Sequence, residues 1–335
     1  MLKGHQTWVF PSKPTILATG TVVGPFEGKG PLANDFDLIH GDLWLGQDSY
    51  EKAEKKMLEE ACEVAVNKSG LQKQDIQFFL GGDLLNQIIS SSFAARTMAV
   101  PYLGLFGACS TSMEGLALGS LLIDSKSAKY LICGTGSHNT AVEKQFRYPT
   151  EYGGQKPPTA QWTVTGAGVA LLGPEGDGPR VTSATIGKVV DMGLSDPFNM
   201  GGAMAPAAVD TITAHFRDLD LSPREYDLIA TGDLGRVGHT IARDLLVQHG
   251  MEIPEEIFTD CGLLIYNQDQ PVQAGGSGCG CAAVVTYGHI LNRMKKGELK
   301  KVLIIATGAL LSPLSYQQNE SIPCIAHAVS LEMNV

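Results

Sequence analysis

Apolar and polar positions follow two periods along this chain. Over residues 49–69 the apolar Ala53, Met57, Ala61, Val64 and Ala65 recur at helical spacing, with glutamate and lysine between them. That pattern predicts a surface helix with one buried stripe, opened by Ser49 and stopped by Gly70. Short apolar runs at 76–80, 102–105 and 129–133 read as strands, the first of the buried type and running into Gly81-Gly82. Residues 8–10 and 16–20 read as two further strands, 24–35 as turns, 87–98 as a helix and 134–137 as a turn.

At the centre stands FGACSTSMEG, residues 106–115. A strand runs into Gly107-Ala108-Cys109, and Met113, Leu116, Ala117, Leu121 and Leu122 then repeat at helical spacing. Ser110, Thr111 and Ser112 can cap that helix, with Glu114 in its first turn. Cys109 therefore faces a helix N-terminus, where unpaired N–H groups and the dipole favour a thiolate or a bound anion. A buried structural cysteine is the competing reading, since free cysteine is among the most buried residue types.

The pattern repeats. Phe79-Leu80-Gly81-Gly82-Asp83-Leu84 returns as Ile229-Ala230-Thr231-Gly232-Asp233-Leu234, each time after an apolar strand and before a helix. The Cys109 stretch has its echo in residues 278–295, a small-residue helix followed by a strand at 301–306; aligning Thr135 with Thr307 sets Cys109 opposite Cys281. A repeat longer than a hundred residues is a duplicated α/β half and not a solenoid. Two halves with small-residue helices facing each other predict a five-layer α/β/α/β/α pseudo-dimer, the two central helices between two sheets. The halves divide as 1–190 and 191–335.

Composition narrows the functions. A formal charge of −10 with no basic cluster argues against nucleic acid, and a bare polyanion would need a local cationic pocket. Seven cysteines, an odd number in a chain of 335 residues, suit a reducing environment. Cys279 and Cys281 lack a second close Cys or His pair, so no metal site is expected. There is no signal-peptide core, and no apolar run approaches the roughly 18–20 residues of a membrane span.

Residues 144–163 form a proline- and glycine-rich segment too long for a simple connection, and such loops often carry function. It holds Lys144, Arg147, Tyr148, Tyr152, Lys156 and Trp162, a combination of cations and flat rings suited to a planar aromatic carboxylate; a merely solvated loop is the plainer alternative. Among the histidines, His5, His40, His215 and His249 read as exposed, His239 as the start of a helix and His289 as packing.

The duplicated halves, the strand-turn-Cys-helix around Cys109 and the final strand with Cys324-Ile325-Ala326-His327 resemble the thiolase superfamily. More closely, GDLLNQ, LFGACSTSME, SHNTAVEKQFRYPTEYGGQKP, GGAMAPAAVDTI, AGGSGCGCAAVVT and ATGALLSPLSYQQNESIPCIAHAV are similar to the family of stage V sporulation AD proteins, over most of the chain. That resemblance implies capture of dipicolinic acid or its calcium chelate and delivery to the membrane subunits of the SpoVA complex. It places the protein in the forespore, peripheral to the inner spore membrane. A homodimer is common in the superfamily.

The resemblance also carries a test. Thioester enzymes of this superfamily pair the nucleophilic cysteine with a histidine, or with a histidine and an asparagine, from the second half. The corresponding turn here reads Gly232-Asp233-Leu234, and the glycine-rich stretch before the last helix reads Ala274-Gly275-Gly276-Ser277-Gly278. Neither supplies a histidine, so binding without turnover, and without a cofactor, is the expectation. Cys109 would form the pocket floor and Asp83 the neighbouring turn, with Arg147 and Lys156 as a cationic lid and Tyr152 available to stack. His138, Cys324 and His327 stand where the superfamily builds its pocket. Asp83 and Glu143 could reach calcium through oxygen or water. The alternatives are an acyltransferase working through Cys109 and a purely structural subunit of a membrane complex.

Overall fold

The computed structural model describes residues 1–146 and 156–333. The first half contributes β1 (Thr15–Val23), β2 (Phe78–Gly82), β3 (Tyr102–Gly104), β4 (Leu131–Ser137) and β5 (Gly166–Gly173). The second contributes β6 (Arg180–Thr185), β7 (Leu228–Thr231), β8 (Phe258–Asp260), β9 (Lys301–Ala309) and β10 (Cys324–Glu332); β6 precedes residue 191, the start expected for the second half, but is grouped with it because it pairs with β10. In the first half the strands lie in the order β3-β2-β4-β5-β1, and in the second β8-β7-β9-β10-β6. Numbered within each half, both read 3-2-4-5-1. The strand directions repeat as well: the first three neighbours are parallel and the last two strands antiparallel. The two sets touch where Arg180 pairs with Thr15. The duplication inferred from the sequence is thus a duplication of topology.

Helix α1 (Tyr50–Ser69) forms as its pattern predicts. The Ser49 side chain accepts from the Lys52 N–H, Gly70 takes a left-handed φ of 72°, and Ala53, Met57, Ala61 and Ala65 are buried. It covers the outer face of the first sheet beside α2 (Ile89–Met98), while α5 (Met200–Leu219) and α6 (Gly235–Gln248) pack together on the outer side of the second. Between the sheets run α3 (Thr111–Asp124) and α7, which is built from Cys279–Val284, a π-turn at Val285–Ile290, and Leu291–Lys295. Helix α3 touches strands of both sheets, and α7 packs on β4 and β5. A Cβ on Gly168 would come within 2.7 Å of Ala283, which is why small residues line this central contact. The remaining helix used below is α4 (Asn139–Phe146).

Several local expectations shift. Residues 134–137 are not a turn: β4 continues through Ser137, because Gly134, Thr135 and Gly136 are paired on β5 and fully covered. Helix α2 starts at Ile89, two residues late, after Gln87 and Ile88 adopt left-handed φ angles of 56° and 45°. His215 is fully buried, not exposed. It lies on the inner face of α5, where Thr185 Oγ1 bonds its Nδ1 at 2.8 Å and Tyr226 Oη its Nε2 at 2.7 Å. His239 lies inside α6 rather than at its start.

Candidate functional site

Cys109 sits in a short helical turn (Ala108–Ser110) that leads directly into α3. The residue before it, Ala108, holds a left-handed φ of 49°, a conformation that costs energy for any residue with a Cβ. The turn is held from the second half. Gly308 on β9 lies so close that a Cβ there would stand 2.3 Å from Gly107 O and 3.1 Å from Ser110 N. Cys109 is 6% exposed.

The second half supplies what lies against the sulfur. Asp233, on the loop between β7 and α6, is fully buried. Its Oδ2 accepts from the Gly278 N–H at 2.8 Å and its Oδ1 from Thr307 Oγ1 at 2.8 Å, with Ser277 Oγ 3.3 Å from Oδ2. The carboxylate lies near enough to the Cys109 thiol for each to shift the other's pKa. Gly278 can turn its N–H inward because it adopts a φ of 97°, which a residue with a Cβ rarely takes. Burial pushes Asp233 up to about 6, although the hydrogen bonds from Cys109, Gly278, Thr307 and Ser277 pull it down. Burial and the neighbouring Asp233 carboxylate hold the Cys109 thiol well above the usual range; the Gly278 N–H opposes them without reversing the result. The helix N-terminus that favours a thiolate is therefore outweighed by burial and by a neighbouring acid.

A cavity opens over Cys109, with about 700 Å³ of empty space, part of it open to solvent. Leu84, Val142, Phe146, Phe198, Met200 and Leu311 make most of its wall apolar, and Gln161, Thr163 and Ser277 bring polar groups. Among the described residues, no lysine or arginine lines it. A largely apolar lining with a few convergent polar groups is the character of a small-molecule site.

The other sequence candidates stand apart from this lining. Asp83 caps the approach to α2, with Oδ1 accepting from Leu85 N at 2.8 Å and Oδ2 from Ser91 N at 2.7 Å. It borders an adjoining groove with Leu85, Phe106 and Leu314. His138 is buried beside Tyr50; its Nε2 lies 2.9 Å from Leu43 O, and its Nδ1 accepts from Thr140 N. Burial lowers its pKa, so the neutral ring is favoured. His327, on β10, accepts from Gly187 N through Nδ1, and burial pushes it down to about 4. Cys324, at the start of β10, is fully buried, with Sγ 3.4 Å from Ile322 O. Lys156 is ion-paired to Glu143 at 2.9 Å and lies 5.0 Å over the Trp162 ring. Arg147 and Tyr152 lie outside the described residues. The sequence shows Asp233 only as the residue standing where a histidine would be, its signal the glycine before it, and Gln161 carries no local signal, since the glycine carbonyl it reaches lies 115 residues away.

Solved structures share this architecture. The 3-oxoacyl-[acyl-carrier-protein] synthase III from Aquifex aeolicus VF5 superposes with a TM-score of 0.60 at 14% identity, over 95% of this chain and 99% of that one. A variant of OleA from Xanthomonas campestris reaches 0.65 at 11% identity, over 99% and 100%. At such identities the likeness establishes a thiolase-like fold and nothing about activity. Sequence says more. The Stage V sporulation protein AD of Bacillus subtilis (strain 168) is 51% identical over 331 residues, covering 99% of this chain and 98% of that protein. The family model for Stage V sporulation protein AD matches residues 4–332, so the chain belongs to that family.

Proposed function

We propose that this sporulation protein of thiolase-like fold binds dipicolinic acid, free or as its calcium chelate, without turning it over. In this reading it passes the ligand to the membrane subunits of the SpoVA complex at the inner spore membrane. One observation carries the non-catalytic part: the ionisable group beside Cys109 is the Asp233 carboxylate, held by the Gly278 N–H and Thr307 Oγ1, and its charge adds to burial in raising the thiol pKa. A general base must take the thiol proton and leave a thiolate that can attack. Asp233 instead adds negative charge beside a buried sulfur, which disfavours the thiolate. The cavity supports the binding part. It is walled by Phe146, Phe198 and Met200, with the polar groups of Gln161, Thr163 and Ser277 beside them.

Among the described residues no helix is long and apolar enough to cross a membrane, so in this reading contact with the membrane runs through partner subunits. The test is calorimetric titration with dipicolinate, with and without calcium, on the wild type and on Cys109→Ala. Saturable binding that survives the loss of the sulfur is expected. Incubation with acetyl-CoA followed by intact-mass measurement supplies the opposing outcome, since an acyl adduct on Cys109 that turns over would establish an acyltransferase.

A further inference from the structure

Helix α5 begins in the wall of the Cys109 cavity, where Pro197, Phe198 and Met200 line the space. Its first-turn N–H groups, on Met200, Gly201 and Gly202, have no acceptor within the helix. The Asn199 side chain does not cap them, and Asn199 Oδ1 is itself buried without a hydrogen-bond partner. Gln161 stands beside this helix end and is 7% exposed. Its Nε2 donates to Asp233 O at 2.7 Å and to Gly276 O at 2.8 Å, which fixes the orientation of the amide. Its Oε1 is left turned toward the start of α5, 3.3 Å from where a Cβ on Gly201 would stand, buried and without a partner. At Met200 and Gln161 the cavity wall thus adjoins a helix start whose first-turn donors have no acceptor within the helix, with one buried acceptor lacking a partner beside them. Leaving buried polar groups unpaired is costly, so a bound molecule that satisfies them gains accordingly.

We propose that the N-terminus of α5, together with Gln161 Oε1, is the subsite that receives a carboxyl group of the ligand. The carboxylate bonds the first-turn N–H groups, where the helix dipole favours negative charge. Gln161 Oε1 accepts from a proton donor on the same ligand, either a second carboxyl group in its acid form or water on a bound cation. An anion is thus held by backbone dipoles in a cavity whose described lining carries no cation, inside a chain of charge −10.

This rests on the dipicolinate reading, and the experiment separates the two. Dipicolinate is titrated calorimetrically into the full chain, into Asn199→Asp and into Asn199→Ala. Asp at that position caps the helix with its own carboxylate and is a favourable N-cap, so the fold is retained while the subsite is filled and made negative. At least tenfold weaker binding is expected for Asn199→Asp, and binding within about threefold of wild type for Asn199→Ala. A second readout needs no variant. The sequence contains two Met-Gly peptides, Met192-Gly193 and Met200-Gly201, so labelling with ¹³C-carbonyl methionine and ¹⁵N-glycine isolates two amide signals. The Gly201 signal should move on titration and the Gly193 signal should stay. Wild-type binding with an unmoved Gly201 signal and an unaffected Asn199→Asp variant would overturn the subsite and leave dipicolinate binding intact. No saturable binding by the wild type would overturn both.

Discussion

Replacing Asp233 by asparagine should make Cys109 more reactive, which is the reverse of what happens when an enzyme loses its base. Above its own pKa of about 6 the carboxylate adds a full charge near the sulfur. Two unit charges about 4 Å apart at an effective dielectric near 20 repel by about 4 kcal/mol, or roughly three pK units as an upper bound. Asn keeps the shape and an acceptor for Gly278 N and removes the charge. A drop of two to three units in thiol pKa multiplies the thiolate fraction by 10²–10³ while thiolate remains the minor form. Intrinsic nucleophilicity falls with pKa at a Brønsted slope of about 0.4–0.5, so the net gain in rate is on the order of 10–50-fold. The assay is iodoacetamide labelling at pH 8, followed by peptide mapping to separate Cys109 from the other cysteines, all of which are buried. Iodoacetamide reaches Cys109 through the cavity. Folding of the variant is checked by circular dichroism and thermal melting. A folded Asp233→Asn protein whose Cys109 labels no faster than wild type, or more slowly, would refute the account, because the carboxylate would then be acting as a base.

Three further outcomes follow from the same packing. Glu27 is fully buried, accepts from Tyr266 Oη and Thr165 N, and is pushed up to about 7 by burial, so the folded state holds its proton more tightly than the unfolded state does. Its contribution is complete below the ordinary carboxylate range and is lost as pH rises from about 4.5 to 7; buried neutral histidines such as His215 and His327 run the other way, so the comparison must be between variants. Glu27→Gln should therefore improve relative to wild type by on the order of 3 kcal/mol between pH 4.5 and 8 in urea melts, and a pH-independent difference would count against it. His215→Ala removes the partner of the Thr185 and Tyr226 hydroxyls from the core and should lower stability by about 2–4 kcal/mol; a loss below about 0.5 kcal/mol would show that those hydroxyls find other partners. Gly308→Ala drives a methyl group into Gly107 O and should displace the Cys109 turn, weakening dipicolinate binding at least tenfold, whereas unchanged affinity would mean that the turn does not shape the cavity.

What the sequence displays well is whatever a local pattern enforces. The Ser49 cap, the Gly70 stop and the buried stripe between them are local, and so is the small-residue signature of α3 and α7. The duplicated strand-Gly-Asp-Leu segment revealed the symmetry of the halves, and the strand orders repeat it. The strand ends were less legible. Gly134 and Gly136 read as turn residues, yet cross-strand pairing on β5 keeps them extended. His215 looked polar because its neighbours in the chain are, while the groups that satisfy it come from β6 and from Tyr226, 30 residues before it and 11 after.

The least legible feature is the one on which function turns, and the repeat itself explains why. Asp83 and Asp233 occupy equivalent places in the two halves, after β2 and after β7. In the first half the carboxylate serves its own chain, accepting from Leu85 N and Ser91 N at the approach to α2. In the second half that work is taken by Asp260 at the end of β8, whose oxygens accept from Leu234 N and Gly235 N at the start of α6, and from Thr231 Oγ1. Asp233 is thereby released from capping and turned toward Gly278, Thr307 and the Cys109 sulfur. Asp233 acts back on Asp260: burial first, and then the Asp233 charge, push Asp260 up to about 7, because two buried carboxylates in one neighbourhood resist simultaneous ionisation. The role of an aspartate in this fold is thus set by whether another carboxylate, about 30 residues further along, has already claimed the helix beside it. That relation lies between strands, and only the folded chain brings its members together.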